Sequence, residues 1–421
     1  MQLRKTLFFP SIHESSRRNT MKKTIELEKQ CVANYYRTLP VVLIKGEGVY
    51  TWDEEGKRYI DMMSAYSAIS HGHCHPILTK IATEQLNTLS VVSRAYHTKH
   101  LGAFLNYACK LFGYDKAAPL NTGAEAVEFA VKAARKWAYE AKNVPENKAE
   151  IIVCENNFHG RTTTIISFSS EAGYKKHFGP YTPGFNIIPY GNSDALEKAI
   201  TPNTAAFLVE PVQGEAGIIF PPEGYLAKCA EICKKHNVLL ICDEIQTGLG
   251  RTGKLLASDH ENVKPDGLIL GKALGGGIYP VSLFLAKNNI MDLFKPGDHG
   301  STFGGNALAS RIGLAALETL IEERLPERSA ELGDYMLQQL RKIKSPLIKD
   351  LRGKGLFIGM EINTDLIDPH KVCLHLLENG ILSKETHETV IRFAPPLIIT
   401  HEQIDEAISI IKKTLEELHE S

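Results

Sequence analysis

Hydrophobic positions in this chain follow two alternating rhythms. Short continuous apolar runs occur at Ile151–Cys154, Ala205–Val209, Val238–Cys242 and Leu268–Leu270. Such runs fit strands buried on both faces of a parallel sheet. Between them, apolar residues recur three or four apart. Ala126, Val127, Ala130, Val131, Ala134 and Trp137 share one helical face, and Leu226, Cys229, Ile232 and Cys233 share another, on a helix from Tyr225 to Lys235. That spacing makes Cys229 and Cys233 core residues rather than metal ligands. Repeated strand–helix units predict an α/β domain whose largely parallel sheet carries helices on both faces.

The rhythm changes toward both termini. A polar helix is expected from Met21 to Gln30, and strands from Val41 to Met62 around a turn at Asp53-Glu54-Glu55-Gly56. After Ser310 a long helical stretch reaches about Ile343. Short strands follow within Leu351–Ile362, at Ile381–Ser383 and at Ile391–Phe393. Ile404, Ala407, Ile408, Ile411, Leu415 and Leu418 mark a terminal amphipathic helix. This half predicts a separate α+β domain. There is no internal repeat and no low-complexity linker.

Composition narrows the function classes. The chain has 421 residues, enough for two or three domains, and its net charge of −1 points to neither nucleic acid nor an anionic membrane as partner. No apolar run approaches the roughly 18 residues of a membrane span. Eight cysteines are scattered without a disulfide-like framework, as in a reducing compartment. Residues 1–20 are basic and serine-containing, with Arg4, Lys5, Arg17 and Arg18 against Glu14. They read as a disordered extension before Met21, giving a cytoplasmic protein. The alternative is a transit peptide, which would place it in the mitochondrial matrix.

Chemistry gathers where apolar runs stop. Val238–Cys242 ends in Asp243-Glu244, and Leu268–Leu270 ends in Gly271-Lys272 followed by three glycines. Open α/β sheets bind ligands at the carboxyl ends of their strands. A lysine there is partly desolvated, which lowers its pKa and frees the amine for Schiff-base chemistry. An acid nearby holds a ring nitrogen protonated. Together these are a protein's share of pyridoxal phosphate catalysis. Asn121-Thr122-Gly123-Ala124-Glu125 opens a helix with a capping box, and a glycine in its first turn lets an anion approach the free N–H groups. Two other apolar runs lead into polar clusters, at Asn157–Arg161 and from Glu210 to Glu215.

Three further patterns carry less. Gly248-Leu-Gly250-Arg-Thr-Gly253 matches a dinucleotide fingerprint but follows two carboxylates, a poor neighbour for pyrophosphate. Gly267 to Ala273 is one residue short of a P-loop and lacks the hydroxyl that holds magnesium. His71-Gly-His73-Cys74-His75-Pro76 is dense in ligand types, yet adjacent residues rarely converge on one ion, so no metal is expected.

These pieces together resemble the class III (subgroup II) pyridoxal-phosphate-dependent aminotransferases, and within them most closely the branch that acts on ornithine. The likeness runs from about Asn34 to Thr400. It is carried by YSAISHGHCHP, NTGAEAVE, FHGRT, EPVQGEAG, DEIQTGLGRTG, GKALGGGIYPVS, HGSTFGGN, RGKGL and IRFAPPL. It implies the aspartate aminotransferase-like fold (fold type I), with a large cofactor domain over 67–312, a small domain from 21–66 and 313–421, and a homodimer with shared active sites.

The resemblance also implies roles. Lys272 holds pyridoxal 5'-phosphate covalently and later moves the proton, and Asp243 pairs with the pyridine nitrogen. Gln246 sits by the ring's phenolic oxygen and Phe158 stacks on the ring. Gly123 and Ala124 give N–H groups to the phosphate, Thr302 reaches it from the neighbouring subunit, and Thr122 and Ser301 also bind the cofactor. Arg161 takes the distal carboxylate. Tyr36 and Tyr66 mark a substrate with a far α-amino group. Arg392 receives glutamate's carboxylate and Glu215 masks it when ornithine reacts. His159 departs from a familiar tryptophan and is expected to alter the entrance, and Thr38 departs from a usual proline. The implied reaction transfers the δ-amino group of L-ornithine to 2-oxoglutarate. Alternatives are action on acetylornithine or 4-aminobutyrate, and a pyridoxal-phosphate-binding regulator without catalysis.

Overall fold

The structure is a computed structural model and describes residues 14–420. At its centre lies a seven-stranded sheet. The strand order is Lys116–Leu120, Ser282–Ala286, Gly267–Leu270, Leu239–Asp243, Thr204–Val209, Glu150–Cys154 and Phe185–Ile188. Thr204–Val209 and Leu239–Asp243 are buried at every position. Burial on both faces explains why these segments read as unbroken apolar runs rather than alternating ones.

The strands from Gly267–Leu270 across to Phe185–Ile188 are parallel, but Ser282–Ala286 runs antiparallel to both its neighbours. The run of glycines explains this departure. Gly276 and Gly277 adopt positive φ of 59° and 71°, a left-handed bend that glycine takes without Cβ strain. The chain therefore turns back without the long crossover that a parallel neighbour needs.

Helices cover the sheet as the periodicity predicts. Helix Gly123–Glu140 buries Ala126, Val127, Ala130, Val131, Ala134 and Trp137. Helix Tyr225–Lys235 buries Leu226, Cys229, Ile232 and Cys233 on the opposite layer.

Both termini build the smaller part. Strands Leu43–Glu47, Tyr50–Asp53 and Arg58–Asp61 form a sheet that Ile381–Leu382 completes in parallel with the last of them. A second, antiparallel sheet holds Ile348–Gly353, Ile358–Ile362, Val390–Phe393 and Lys384–Thr386, in that order. Helices Leu325–Lys342, Pro369–Glu378 and His401–Glu420 pack with these strands and with one another.

Three expectations shift. The expected boundary at 312/313 falls inside helix Ala307–Glu322, which packs against helices Pro76–Leu86 and Leu101–Phe112 of the large domain. The long helix expected to Ile343 is two helices, broken where Arg324 turns left-handed (φ 53°) just before Pro326; proline suits the first turn of a helix but not its interior. The N-terminal helix runs Glu14–Cys31, so it contains the expected Met21–Gln30 and reaches back into the segment read as an extension. The remainder of that segment, residues 1–13, lies outside the described residues.

The turn that matched a dinucleotide fingerprint has a structural use. Arg251 within it is fully buried. Its Nη1 donates to the carbonyls of Leu356 (3.0 Å) and Pro395 (2.6 Å), and its Nη2 donates to Ser70 Oγ (3.0 Å). One guanidinium thus ties its own turn to two strand-end loops of the small domain and to the loop that carries Ser70.

Phe207 lies fully buried in strand Thr204–Val209, in one core cluster with the Tyr225–Lys235 helix. Phe207→Ala should destabilise the fold by about 3–5 kcal/mol, since a large cavity would remain. The check is the midpoint of thermal unfolding. An unchanged midpoint would remove this strand from the core.

Candidate active site

The carboxyl ends of five strands meet at one edge of the large sheet and enclose a cavity of about 190 Å³. Gly123, Ala124, Phe158, His159, Gly160, Glu210, Asp243, Ile245, Gln246, Thr247 and Lys272 line it. Each segment comes from a loop that starts where an apolar run stops.

Lys272 follows strand Gly267–Leu270 and has φ of 45°. A non-glycine residue in the left-handed region is strained, and such strain collects at functional sites. Burial pushes its amine below the usual lysine range, although the charges of Glu215 and Asp243 pull the other way.

Asp243 ends strand Leu239–Asp243 and is almost fully buried. Its Oδ1 accepts the Ile245 N–H at 3.0 Å, and its Oδ2 bonds His159 Nδ1 at 2.7 Å. His159 was expected to shape the entrance. It is instead buried behind Asp243, only 3% exposed. Burial lowers the imidazole's pKa, but the bond to and charge of Asp243 outweigh it, so the net shift is upward. The bond from the imidazole fixes the orientation of the Asp243 carboxylate. Glu210 stands on the next strand end. Burial pushes its carboxyl up to about 7, against the nearby His159 charge. It accepts the Phe158 N–H at 2.8 Å and so fastens the Phe158–Gly160 loop to its neighbour.

Behind Gln246 of the lining, buried Arg392 of strand Val390–Phe393 in the small domain pairs with Glu215. Its Nη1 donates to Glu215 Oε1 at 2.7 Å, and Gln246 Nε2 donates to the same oxygen at 3.0 Å. Burial alone would raise the Glu215 carboxyl; Arg392, Lys272 and the two hydrogen bonds bring it down to about 2. Thr386 Oγ1 donates to the Glu215 carbonyl at 2.6 Å, anchoring the backbone. At Gly214 beside it, a Cβ would lie 1.6 Å from Gln246 Oε1, so any larger residue would displace the Gln246 amide. The ring of Tyr66 lies 4.9 Å from the Arg392 guanidinium carbon.

At the start of helix Gly123–Glu140, Thr122 Oγ1 accepts the Glu125 N–H and Glu125 Oε2 accepts the Thr122 N–H. This box leaves the Gly123 and Ala124 N–H groups as the first-turn donors facing the cavity, where the helix dipole favours an anion. Phe158 and Ile245 supply apolar walls. An amine, a fixed carboxylate, two apolar walls and an anion cradle fit a flat, anionic aromatic ring.

Not every expected residue gathers there. Arg161 is exposed outside the cavity, its guanidinium carbon 3.4 Å from the Tyr174 ring centroid. Tyr36 is exposed against Tyr35. Thr302 is exposed and does not line the cavity, whereas Ser301 Oγ accepts Asn121 Nδ2 at 3.2 Å. The histidines of the His71–Pro76 stretch go to separate partners: the Ala316 carbonyl, Asp61 and Glu323. Sequence reasoning missed Ile245, Glu210 and the His159–Asp243 bond. Glu210 was visible as a strand-end acid, but no local signal tied it to His159.

The family described as "Aminotransferase class-III" matches residues 31–415. The chain is 57% identical over 396 residues to an ornithine aminotransferase of Geobacillus sp. (strain WCH70), covering 93% of this chain and 99% of that protein. The ornithine aminotransferase of Toxoplasma gondii, crystallised with oxidised glutathione and partly occupied by PLP, superposes with a TM-score of 0.94. It is 43% identical, over 98% of this chain and 99% of that one. An acetylornithine aminotransferase from Elizabethkingia anophelis is 49% identical, with a TM-score of 0.86 over 94% of this chain and 99% of that one.

The Glu215 shift has a direct consequence for acid stability. The folded carboxyl titrates at about 2 rather than 4.5, so its ionised form stabilises the fold. That contribution is complete above pH 4.5 and is lost as the pH falls toward 2. Glu215→Gln should lower the urea midpoint at pH 7 and narrow the difference from the unmodified protein at pH 3. A constant difference at both pH values would contradict the assigned shift.

Proposed function

This chain belongs to the class-III aminotransferases, and we propose that it moves the δ-amino group of L-ornithine to 2-oxoglutarate. The products are glutamate and glutamate 5-semialdehyde, which cyclises to pyrroline-5-carboxylate. It is a pyridoxal-phosphate-dependent enzyme with ornithine and an oxo acid as substrates. The supporting observation is one juxtaposition: Lys272 and Asp243 at neighbouring strand ends, with the Glu215–Arg392 pair held to Gln246 of the same cavity.

When bound, pyridoxal phosphate supplies an electrophilic carbon that exchanges amines and a ring that takes up the electron pair released at the substrate carbon. The protein's part is position and protons. The Gly123 and Ala124 N–H groups hold the phosphate, and Phe158 and Ile245 hold the ring. Asp243, oriented by His159, keeps a proton on the ring nitrogen. Lys272 Nζ, its basicity lowered by burial, takes a proton from the reacting carbon and returns it to the neighbouring one.

The pocket must present two different amines. Ornithine has only hydrogens near its reacting carbon, whereas glutamate has a carboxylate there. With Glu215 on Arg392, the buried guanidinium is neutralised and ornithine's chain meets no bare charge. Glutamate's carboxylate takes the Glu215 position. Arg161, exposed and without a carboxylate partner among the described residues, serves the far carboxylate in both half-reactions, and Tyr36 and Tyr66 face ornithine's α-amino group. Action on acetylornithine is the second reading, favoured by the 49% identity to the Elizabethkingia enzyme. A cytoplasmic setting belongs to the same proposal; the eight free thiols fit a reducing compartment.

Single-turnover kinetics of each half-reaction, followed by cofactor absorbance, test this reading. The unmodified enzyme should prefer ornithine to acetylornithine. Arg392→Ala should damage the glutamate half-reaction by about 2–5 kcal/mol, through loss of a buried charge partner, and largely spare the ornithine half. Equal slowing of both halves would make Arg392 a structural residue.

A homodimer completes the proposal, because Thr302 serves the partner's phosphate rather than its own. Thr302→Ala subunits mixed with Lys272→Ala subunits should then regain activity, since one site of each mixed dimer escapes both lesions. Verified mixed dimers as inactive as the parents would refute the shared site.

A further inference from the structure

Arg161 has no carboxylate within ion-pairing distance among the described residues; its close neighbours are rings. Its guanidinium carbon lies 3.4 Å from the Tyr174 centroid and 5.4 Å from that of Phe158. The two rings meet edge to face, with centroids 6.3 Å apart and planes at 83°. At 3.4 Å only a face-on guanidinium fits. Its face is then covered, and the N–H donors in its plane stay open at the edge. That edge is the fork that binds a carboxylate through two parallel bonds.

Tyr174 is itself firmly held. It sits on a one-turn helix, Ala172–Lys175. Lys175 Nζ donates to the Ser167 carbonyl at 3.2 Å, and Tyr181 Oη donates to the Lys175 carbonyl at 2.5 Å. Asn156 N–H donates to Ser170 Oγ at 2.7 Å, tying the segment to the loop that leads to Phe158. On the other side, Glu171 lies 3.9 Å from His387 of the small domain. The ring is therefore referenced both to the cofactor loop and to the domain that carries Arg392. A long, exposed arginine side chain loses much rotamer freedom when it binds. A fixed ring beneath it removes part of that loss beforehand.

We propose that Tyr174 is the positioning residue for the substrate's distal carboxylate. Its ring sets the plane and reach of Arg161. It thereby sets the chain length at which an amine at Lys272 and a carboxylate at Arg161 are satisfied together. This rests on the reading that Arg161 takes the distal carboxylate.

The test uses the loaded enzyme and three ligands: L-ornithine as substrate, and 5-aminopentanoate and 1,4-diaminobutane as competitors. The first competitor keeps the carboxylate and the second lacks it. Tyr174→Leu should raise KM for ornithine and Ki for 5-aminopentanoate about tenfold, the size of a lost cation–π contact. It should leave kcat and the Ki of 1,4-diaminobutane nearly unchanged. Tyr174→Phe should restore both raised constants, since the ring rather than the hydroxyl carries the contact. Equal weakening of both competitors, no change in either, or a Phe variant as damaged as Leu would each overturn the proposal. If the unmodified enzyme ignores ornithine, the functional reading fails and this inference with it. If it uses ornithine and Tyr174→Leu changes nothing, only this inference fails.

Discussion

Buried charge has to be matched, and at the carboxyl edge of the large sheet it is matched within one cluster. Lys272, Arg392 and His159 stand against Asp243, Glu210 and Glu215. Any one of these alone in that interior would be strongly destabilising. The rest of the fold is arranged so that none is alone. Strands far apart in sequence end side by side, which places Lys272 near Asp243. The small domain lies against the edge, because Arg392 has to reach Glu215. The opposing pKa shifts of Glu210 and Glu215 follow from the same balance: one carboxyl has an arginine and two hydrogen-bond donors on it, the other mainly burial.

Much of the fold was legible because two-sided burial leaves a plain signature. Strand Thr204–Val209 reads as an apolar run since both faces are covered by helices, and helix Tyr225–Lys235 appears at the residues its periodicity predicts. Lys272 and Asp243 were legible for a related reason: a polar residue ending such a run marks the edge where the sheet opens. The Thr122 capping box was legible because its geometry is local. By contrast, the fate of the 312/313 boundary, which falls inside a helix, was not legible. Helix Ala307–Glu322 looks like any other amphipathic helix until its partners, Pro76–Leu86 and Leu101–Phe112, are known. Strand Ser282–Ala286 carried no strand expectation of its own, and its antiparallel direction follows the turn at Gly276 and Gly277.

Within the site, the illegible part is the pairing between loops. His159 and Asp243 are 84 residues apart, and Glu215 and Arg392 are 177 apart. The second pair was anticipated only through likeness to a family, and the first not at all. A histidine beside Phe158 has no signature that says whether it faces solvent or the back of a carboxylate. Tyr174 is a comparable case. Its sequence context is an ordinary polar turn, and its contact with Arg161 exists only because the one-turn helix folds back over the Phe158 loop.

Arg251 gives the whole arrangement a further property. Its guanidinium bonds the Leu356 and Pro395 carbonyls and Ser70 without solvent access. Rotating one domain away from the other would strand those groups unpaired in the interior, each at a penalty of about 1–3 kcal/mol. The two domains are therefore riveted rather than hinged along this seam. Pro395 lies three residues beyond Arg392 on the same strand exit, so the rivet also fixes one jaw of the pocket. Such an enzyme works as a gauge of constant opening. It measures a substrate against a rigid frame, and the parts left free to move are side chains such as Glu215.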